Sequence, residues 1–195
     1  MERKILQVME QEIQKCLEVL KNGGTILYPT DTIWGIGCDA TNTKAVSKIY
    51  RLKKRLESKS LIILLDDPLK LSKYVKTIPD IAWDLMKNVD SPLTIIYPDA
   101  QNLAKNVIAE DNSIAIRIVK NEFCIRLIHE FGKPIVSSSA NISGEPSPMV
   151  FKKISPEITG NVDYVVNLYQ DQFREVKPSR IIKIKANGEF QIIRQ

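Results

Sequence analysis

Apolar residues recur at Ile5, Met9, Ile13, Cys16, Leu17 and Leu20, with polar residues between them. That spacing puts them on one face of a helix. Asn22-Gly23-Gly24 ends the helix, because glycine takes the left-handed backbone of a helix stop without steric cost. Thr25-Ile26-Leu27-Tyr28 reads as a strand, and Pro29, which has no N–H for a ladder, closes it. Thr41, Asn42 and Thr43 are capping types ahead of a helix that runs to about Leu52. The apolar run Leu61–Leu65 predicts a buried strand. Asp67-Pro68 reads as an N-cap and first helical residue, and Pro79 opens a further helix over IPDIAWDLMKNV.

The second half repeats this grammar. Leu93–Tyr97 is a strand, and Ser113–Val119 alternates and is β-branched, so it is another. Asn121 caps the helix EFCIRLIHEF, which Gly132 ends. Pro134–Ser137 is a short strand entering a polar loop. Strands are also expected at Tyr164–Asn167, Arg180–Ile184 and Phe190–Ile193. Helices and strands interleave and the chain ends in β, which gives an α/β layered domain with a mixed sheet. Residues 142–163 carry turn chemistry, suited either to a loop over a site or to a surface excursion.

With 195 residues, the expectation is one domain over residues 1–195. Hydrophobic residues make up 44% and charged residues 26%, ordinary values for a packed core that argue against disorder. The net charge of +5, from 28 Lys and Arg against 23 Asp and Glu, suits an anionic ligand such as a nucleotide, or weak nucleic-acid contact. The three cysteines, Cys16, Cys38 and Cys124, form no CxxC pair, so reduced thiols in a cytoplasmic protein are expected. The N-terminus is charged and lacks a signal-peptide core, and no apolar run reaches the roughly 18 residues of a membrane span. A single histidine, His129, on a helical position beside Ile125 and Ile128, makes a zinc site or a Ser-His-Asp triad improbable.

Four segments carry candidate chemistry. In YPTDTIWGIGCDA, residues 28–40, Gly35-x-Gly37-x-x-Ala40 matches a dinucleotide fingerprint only superficially, because Thr41-Asn42 interrupts before a helix can open at the second glycine. The segment is either a glycine-rich turn or a ligand loop in which Thr30, Asp31 and Thr32 meet a small polar molecule. Lys53 and Arg55, two apart in RLKKRLESK, are either a solvated face or, in an extended segment, two cations on one side that grip phosphate. Arg117 lies inside the strand SIAIRIV, on one face with Ser113 and Ala115. It pairs either with a protein carboxylate or, as a two-point fork, with a ligand carboxylate. Ser137 to Gly144 is either a polar loop or a set of hydroxyls and amides beyond a strand end, where open α/β sheets bind ligands.

Taken jointly, Tyr28–Gly37, Lys53 with Arg55, Pro92-Leu93-Thr94, Ile116-Arg117 and Ser139–Gly144 resemble the YrdC/Sua5 family of threonylcarbamoyl-AMP synthases, in its short form. The resemblance implies a twisted open mixed sheet with flanking helices and a concave cavity for ATP and L-threonine. It implies that N-carboxythreonine, formed from threonine and bicarbonate, attacks the α-phosphate of ATP and releases pyrophosphate. A downstream transferase complex would then carry the threonylcarbamoyl group to an adenosine of tRNA, with direct tRNA contact weak at most. By position, Lys53 and Arg55 would be catalytic and would grip ATP together with Lys59 and Mg²⁺ brought by the nucleotide. Ser113, Ser139, Asn141, Ser147 and Arg194 match nucleotide-side positions, and Thr32, Arg117, Ser137 and Ser179 match threonine-side positions. No metal-ligating side chain is implied.

The sequence departs from the family pattern at Leu56 and Ser60, where proline is usual, at Ser91, where glycine is usual, and at Val119 and Arg180, which replace a common Pro and Thr. These changes bear on loop geometry and affinity and remove no proposed catalytic group. Two alternatives compete. One is an RNA-binding module in ribosome or tRNA maturation, although the chain has no basic stripe with interleaved aromatics. The other is a YciO-type paralogue with weak synthase activity, which the intact Ser139-Ala140-Asn141 disfavours.

Overall fold

The computed structural model describes residues 2–57, 61–171 and 178–195. Helix α1, Glu2–Lys21, buries Met9, Ile13, Cys16, Leu17 and Leu20, the stripe read from the sequence. Ile5, in its first turn, stays 43% exposed. Gly23 takes a φ of 69°, and the N–H groups of Gly23 and Gly24 close the helix on the carbonyls of Leu20 and Val19.

The chain continues through β1 (Ile26–Tyr28), β2 (Gly35–Gly37), α2 (Thr43–Leu52), β3 (Ile62–Leu65), α3 (Asp80–Asn88), β4 (Leu93–Tyr97) and β5 (Ile114–Ile118). It then forms α4 (Glu122–Phe131), β6 (Ile135–Ser139), α5 (Pro156–Thr159), β7 (Tyr164–Val165), β8 (Arg180–Ile184) and β9 (Phe190–Arg194). The expected caps form: Asn42 Oδ1 accepts from the N–H groups of Lys44 and Ala45, Asn121 Oδ1 accepts from Cys124, and Gly132 closes α4 at a φ of 73°. Asp67-Pro68 starts a short 3-10 helix, Pro68–Lys73.

The nine strands form one twisted mixed sheet in the order β7-β1-β2-β6-β3-β5-β4-β8-β9. Pairing is parallel for β1–β7, β3–β5 and β4–β8, and antiparallel for the rest. Side chains alternate across a strand, so residues opposite one another share a face. Val136, Ile63, Ile116, Ile95 and Ile182 make one such row, fully apolar and buried. Helix α4 packs against β3, and α1 packs against β1 and α4. Ser137, Ile62, Ala115 and Ile96 make the neighbouring row on the opposite face. Among the described residues, no helix is long and apolar enough to cross a membrane.

One element departs from expectation. Gly35-Ile36-Gly37 is a strand rather than a turn, wedged between β1 and β6. A Cβ on Gly37 would meet Tyr28 Cε1 at 2.6 Å and the Val136 carbonyl oxygen at 2.6 Å. The glycine is therefore required by close approach, and its φ is not in the left-handed region. Gly37→Ala is expected to cost about 2–3 kcal/mol through overpacking, read as a lower urea midpoint at unchanged slope. An unchanged midpoint would contradict the packing described.

Candidate functional site

The segment between β1 and β2 shapes its own hydroxyls. Thr30 Oγ1 donates to the Ile33 carbonyl at 2.7 Å, and it accepts from the Thr32 N–H at 3.0 Å. Its single proton is thereby used, so in the 3.0 Å contact between the two hydroxyls Thr32 is the donor. The Thr32 hydroxyl keeps its lone pairs, and toward a ligand it can only accept.

Thr32 lines a cavity of about 280 Å³ on the face that carries Ser137, Ala115 and Ile96. The floor comes from the central strands through Ile62, Ala115, Ile96 and Ile181. The polar wall comes from Ser137, Ser138 and Ser139 at the end of β6, with Ser147 from the following loop. Trp34 closes one side, and its ring lies 4.8 Å from that of Phe151 at an interplanar angle of 54°. Residues 142–163 thus reach the site through Ser147 and through Phe151, which backs Trp34.

The charged side chains of this lining are Arg55, Arg117 and Arg194. Arg117, 4% exposed, sits 3.2 Å from Asp31 Oδ1 in a buried ion pair. The pair is poorly satisfied, since both Asp31 oxygens and Arg117 Nε lack hydrogen-bond partners among the described residues. The structure therefore realises the protein ion pair at Arg117 and also leaves the guanidinium on the cavity wall. Arg194 donates through Nε to the Ser179 carbonyl at 2.9 Å and through Nη2 to Ser179 Oγ at 3.3 Å. Ser179 Oγ is also 2.8 Å from Thr94 Oγ1, which fixes the end of β9 over β4. Burial, and next the nearby Arg117 charge, lower the Arg194 pKa.

Lys53 and Arg55 do not lie on an extended segment. The N–H of Lys54 bonds the Arg51 carbonyl, that of Arg55 bonds the Tyr50 carbonyl, and Lys54 takes a φ of 49°. This is a Schellman stop of α2 with a lysine in the place usually held by glycine. It sends the two side chains to different places. Arg55 reaches the cavity, whereas Lys53 is 1% exposed and donates its ammonium to the carbonyls of Ser139 and Asn141. Burial, and then the Arg55 charge, push the Lys53 pKa from 10.5 down to about 8.

Of the residues singled out in the sequence, Thr32, Arg55, Arg117, Ser137, Ser139, Ser147, Ser179 and Arg194 meet in this cavity. Lys53, Ser113 and Asn141 do not line it. Ser113 precedes β5 and donates to Asp111 Oδ1 at 2.5 Å. Asn141 Nδ2 holds the carbonyls of Ile142 and Glu145, leaving its buried Oδ1 without a partner. Lys59 lies outside the described residues. Trp34 and the apolar floor are lining residues that the sequence patterns do not single out. An aromatic side chain beside two glycines was the available hint for Trp34, while the others need the strand register.

A family model described as Telomere recombination, Sua5/YciO/YrdC, matches residues 18–195. The chain belongs to the Sua5/YciO/YrdC family. A threonylcarbamoyl-AMP synthase of Pseudoalteromonas translucida is 33% identical over 161 residues, covering 81% of this chain and 86% of the relative. A Methanocaldococcus jannaschii relative is 37% identical over 194 residues, covering 97% of this chain and 90% of its own length. A crystal structure of P. abyssi Sua5 complexed with L-threonine superposes with a TM-score of 0.81 at 27% identity over 88% of this chain. This Sua5/YciO/YrdC chain spans only 50% of that Sua5 protein. Among its described residues no cluster of His, Cys, Asp or Glu is arranged to hold a metal ion.

The Lys53 shift fixes a pH dependence. Below pH 8 the folded and unfolded chains both hold the proton, and the folded state bears the full burial penalty. Between about 8 and 10.5 the folded chain releases a proton that the unfolded chain keeps, so unfolding free energy rises with pH. The rise is about 3 kcal/mol at most. Urea unfolding of wild type and Lys53→Met at about pH 7 and about pH 10 reads it as a gain of wild type over the variant. A difference that stays constant with pH contradicts the buried ammonium.

Proposed function

We propose that this chain makes L-threonylcarbamoyladenylate from L-threonine, bicarbonate and ATP, releasing pyrophosphate. The observation that carries the reading is the convergence of Arg55, Arg117 and Arg194 with Thr32 and the β6 serines on one cavity. Three guanidiniums beside a hydroxyl-lined wall suit a ligand with a carboxylate and a phosphate chain. The relatives named as threonylcarbamoyl-AMP synthases, and a Sua5 that binds L-threonine, support the same choice.

In this reading the threonine carboxylate takes donors of Arg117 beside Asp31, and Thr32 Oγ1 accepts from the threonine amine. The amine condenses with bicarbonate, losing water, to give N-carboxythreonine. A carboxylate oxygen then forms a bond to the α-phosphorus of ATP, and the bond to the bridging oxygen of pyrophosphate breaks with its electron pair. Arg55 and Arg194 would stabilise the charge that moves onto the phosphates, which is the main demand of phosphoryl chemistry. Among the described residues the cavity lining offers hydroxyls and no carboxylate, which suits magnesium brought by the nucleotide substrate. The adenylyl transfer makes the chain a nucleotidyltransferase. Its product is a reactive mixed anhydride for a downstream transferase acting on tRNA. The buried free thiols Cys16, Cys38 and Cys124 support a reducing, cytoplasmic setting.

Arg55→Ala is expected to lower turnover about a thousandfold with the fold intact. Arg117→Lys should raise the KM for threonine more than that for ATP, because an ammonium cannot make a two-point fork. Steady-state kinetics with each substrate varied in turn measures both. Normal turnover of folded Arg55→Ala, or equal losses for both substrates in Arg117→Lys, would sink the assignment.

A further inference from the structure

Lys53 is a poor choice for stability. Its ammonium is buried with no carboxylate paired to it among the described residues, and it donates to the carbonyls of Ser139 and Asn141. A like charge, Arg55, adds to the burial penalty. An apolar side chain of similar volume would cost less in such a place.

What the side chain does achieve is mechanical. The α2 stop and the Ser139–Ser143 loop are tied to each other in both directions. Lys53 Nζ donates to the loop, and the Lys53 carbonyl accepts from the Ser143 N–H at 2.8 Å. The loop is held on its other side by the Ala140 N–H, which donates to the Trp34 carbonyl at 3.1 Å. Two residues after Lys53, in the same hydrogen-bonded turn, Arg55 enters the cavity, whose lining also includes Ser139. Lys53 itself is not on the lining.

We propose that Lys53 is a positioning residue that braces the Ser139–Ser143 loop against the Arg55 turn and acts on the nucleotide through that loop without contacting phosphate. The proposal rests on the reading above, in which the Ser139 side of the cavity takes the nucleotide. It assigns phosphate contact to Arg55 and leaves Lys53 to set the separation between the cationic and hydroxyl walls.

Two measurements on Lys53→Met test it. The first is amide hydrogen exchange, which needs no ligand. Exchange at residues 140–143 should rise by about tenfold or more, with β5 and α4 unchanged. Unchanged exchange there overturns the brace. The second is calorimetric binding of adenosine, pyrophosphate and ATP. Lys53→Met should weaken adenosine and ATP by a common factor of about ten and leave pyrophosphate as in wild type. Arg55→Met should weaken pyrophosphate and ATP and spare adenosine. A Lys53→Met protein that loses pyrophosphate and keeps adenosine overturns the proposal and makes Lys53 a phosphate contact. Ser143→Pro, which deletes the N–H bonded to the Lys53 carbonyl and keeps the amine, is a second variant with the same expected split. A wild-type protein that binds neither adenosine nor ATP ends the nucleotide reading, and the exchange result still decides the brace.

Discussion

Strand β3 pairs with β6 on one side and β5 on the other, and those two pairings decide what the cavity contains. Ile62 stands opposite Ser137 and Ala115, and Leu64 stands opposite Arg117. Strand side chains alternate, so a slip of one residue would exchange the two faces. Arg117 would then join the row of Ile63, Val136 and Ile95, away from Asp31. An unpaired guanidinium in an apolar layer costs several kcal/mol, comparable with the whole stability margin of a domain. The same pairing that satisfies the core thus places the cation on the ligand side.

Like charge gathers in the cavity and on the α2 stop beside it, and hydrogen bonds hold it there. Asp31 offsets Arg117, the Ser179 carbonyl and hydroxyl hold Arg194, and main-chain carbonyls hold Lys53. Both the Arg194 and the Lys53 pKa are lowered, with burial as the first cause and a neighbouring guanidinium as the second. Such an arrangement is destabilising until an anion arrives, which is the electrostatic preorganisation that the proposed adenylyl transfer would use. The orphaned atoms of the Asp31–Arg117 pair belong to the same picture, since an incompletely satisfied fork can take a second carboxylate.

Much of this was legible from local rules. Asn42, Asn121 and Gly132 announce helix ends because their side chain, or lack of one, satisfies the terminal backbone groups there. Alternation found the face of Arg117. The same rule failed at Lys53 and Arg55, because Lys54 takes the left-handed conformation and reverses the chain. Gly35-Ile36-Gly37 looked like a turn because glycine usually means φ freedom, whereas here Gly37 means the absence of a Cβ beside Tyr28 and Val136. Ser179 and Arg194 are far in sequence from the other site residues, and motif resemblance named them where periodicity could not. Their place on the cavity depends on β8 and β9 pairing beyond β4.

The most direct test of the central claim is product formation by the purified chain, with ATP present and threonine and bicarbonate each supplied or omitted. Mass spectrometry would follow the threonylcarbamoyl-adenylate, and a coupled assay the pyrophosphate. The account expects both products only when threonine and bicarbonate are both present, in equal amounts. Pyrophosphate release that ignores threonine, or bound ATP with no adduct under any condition, would contradict it.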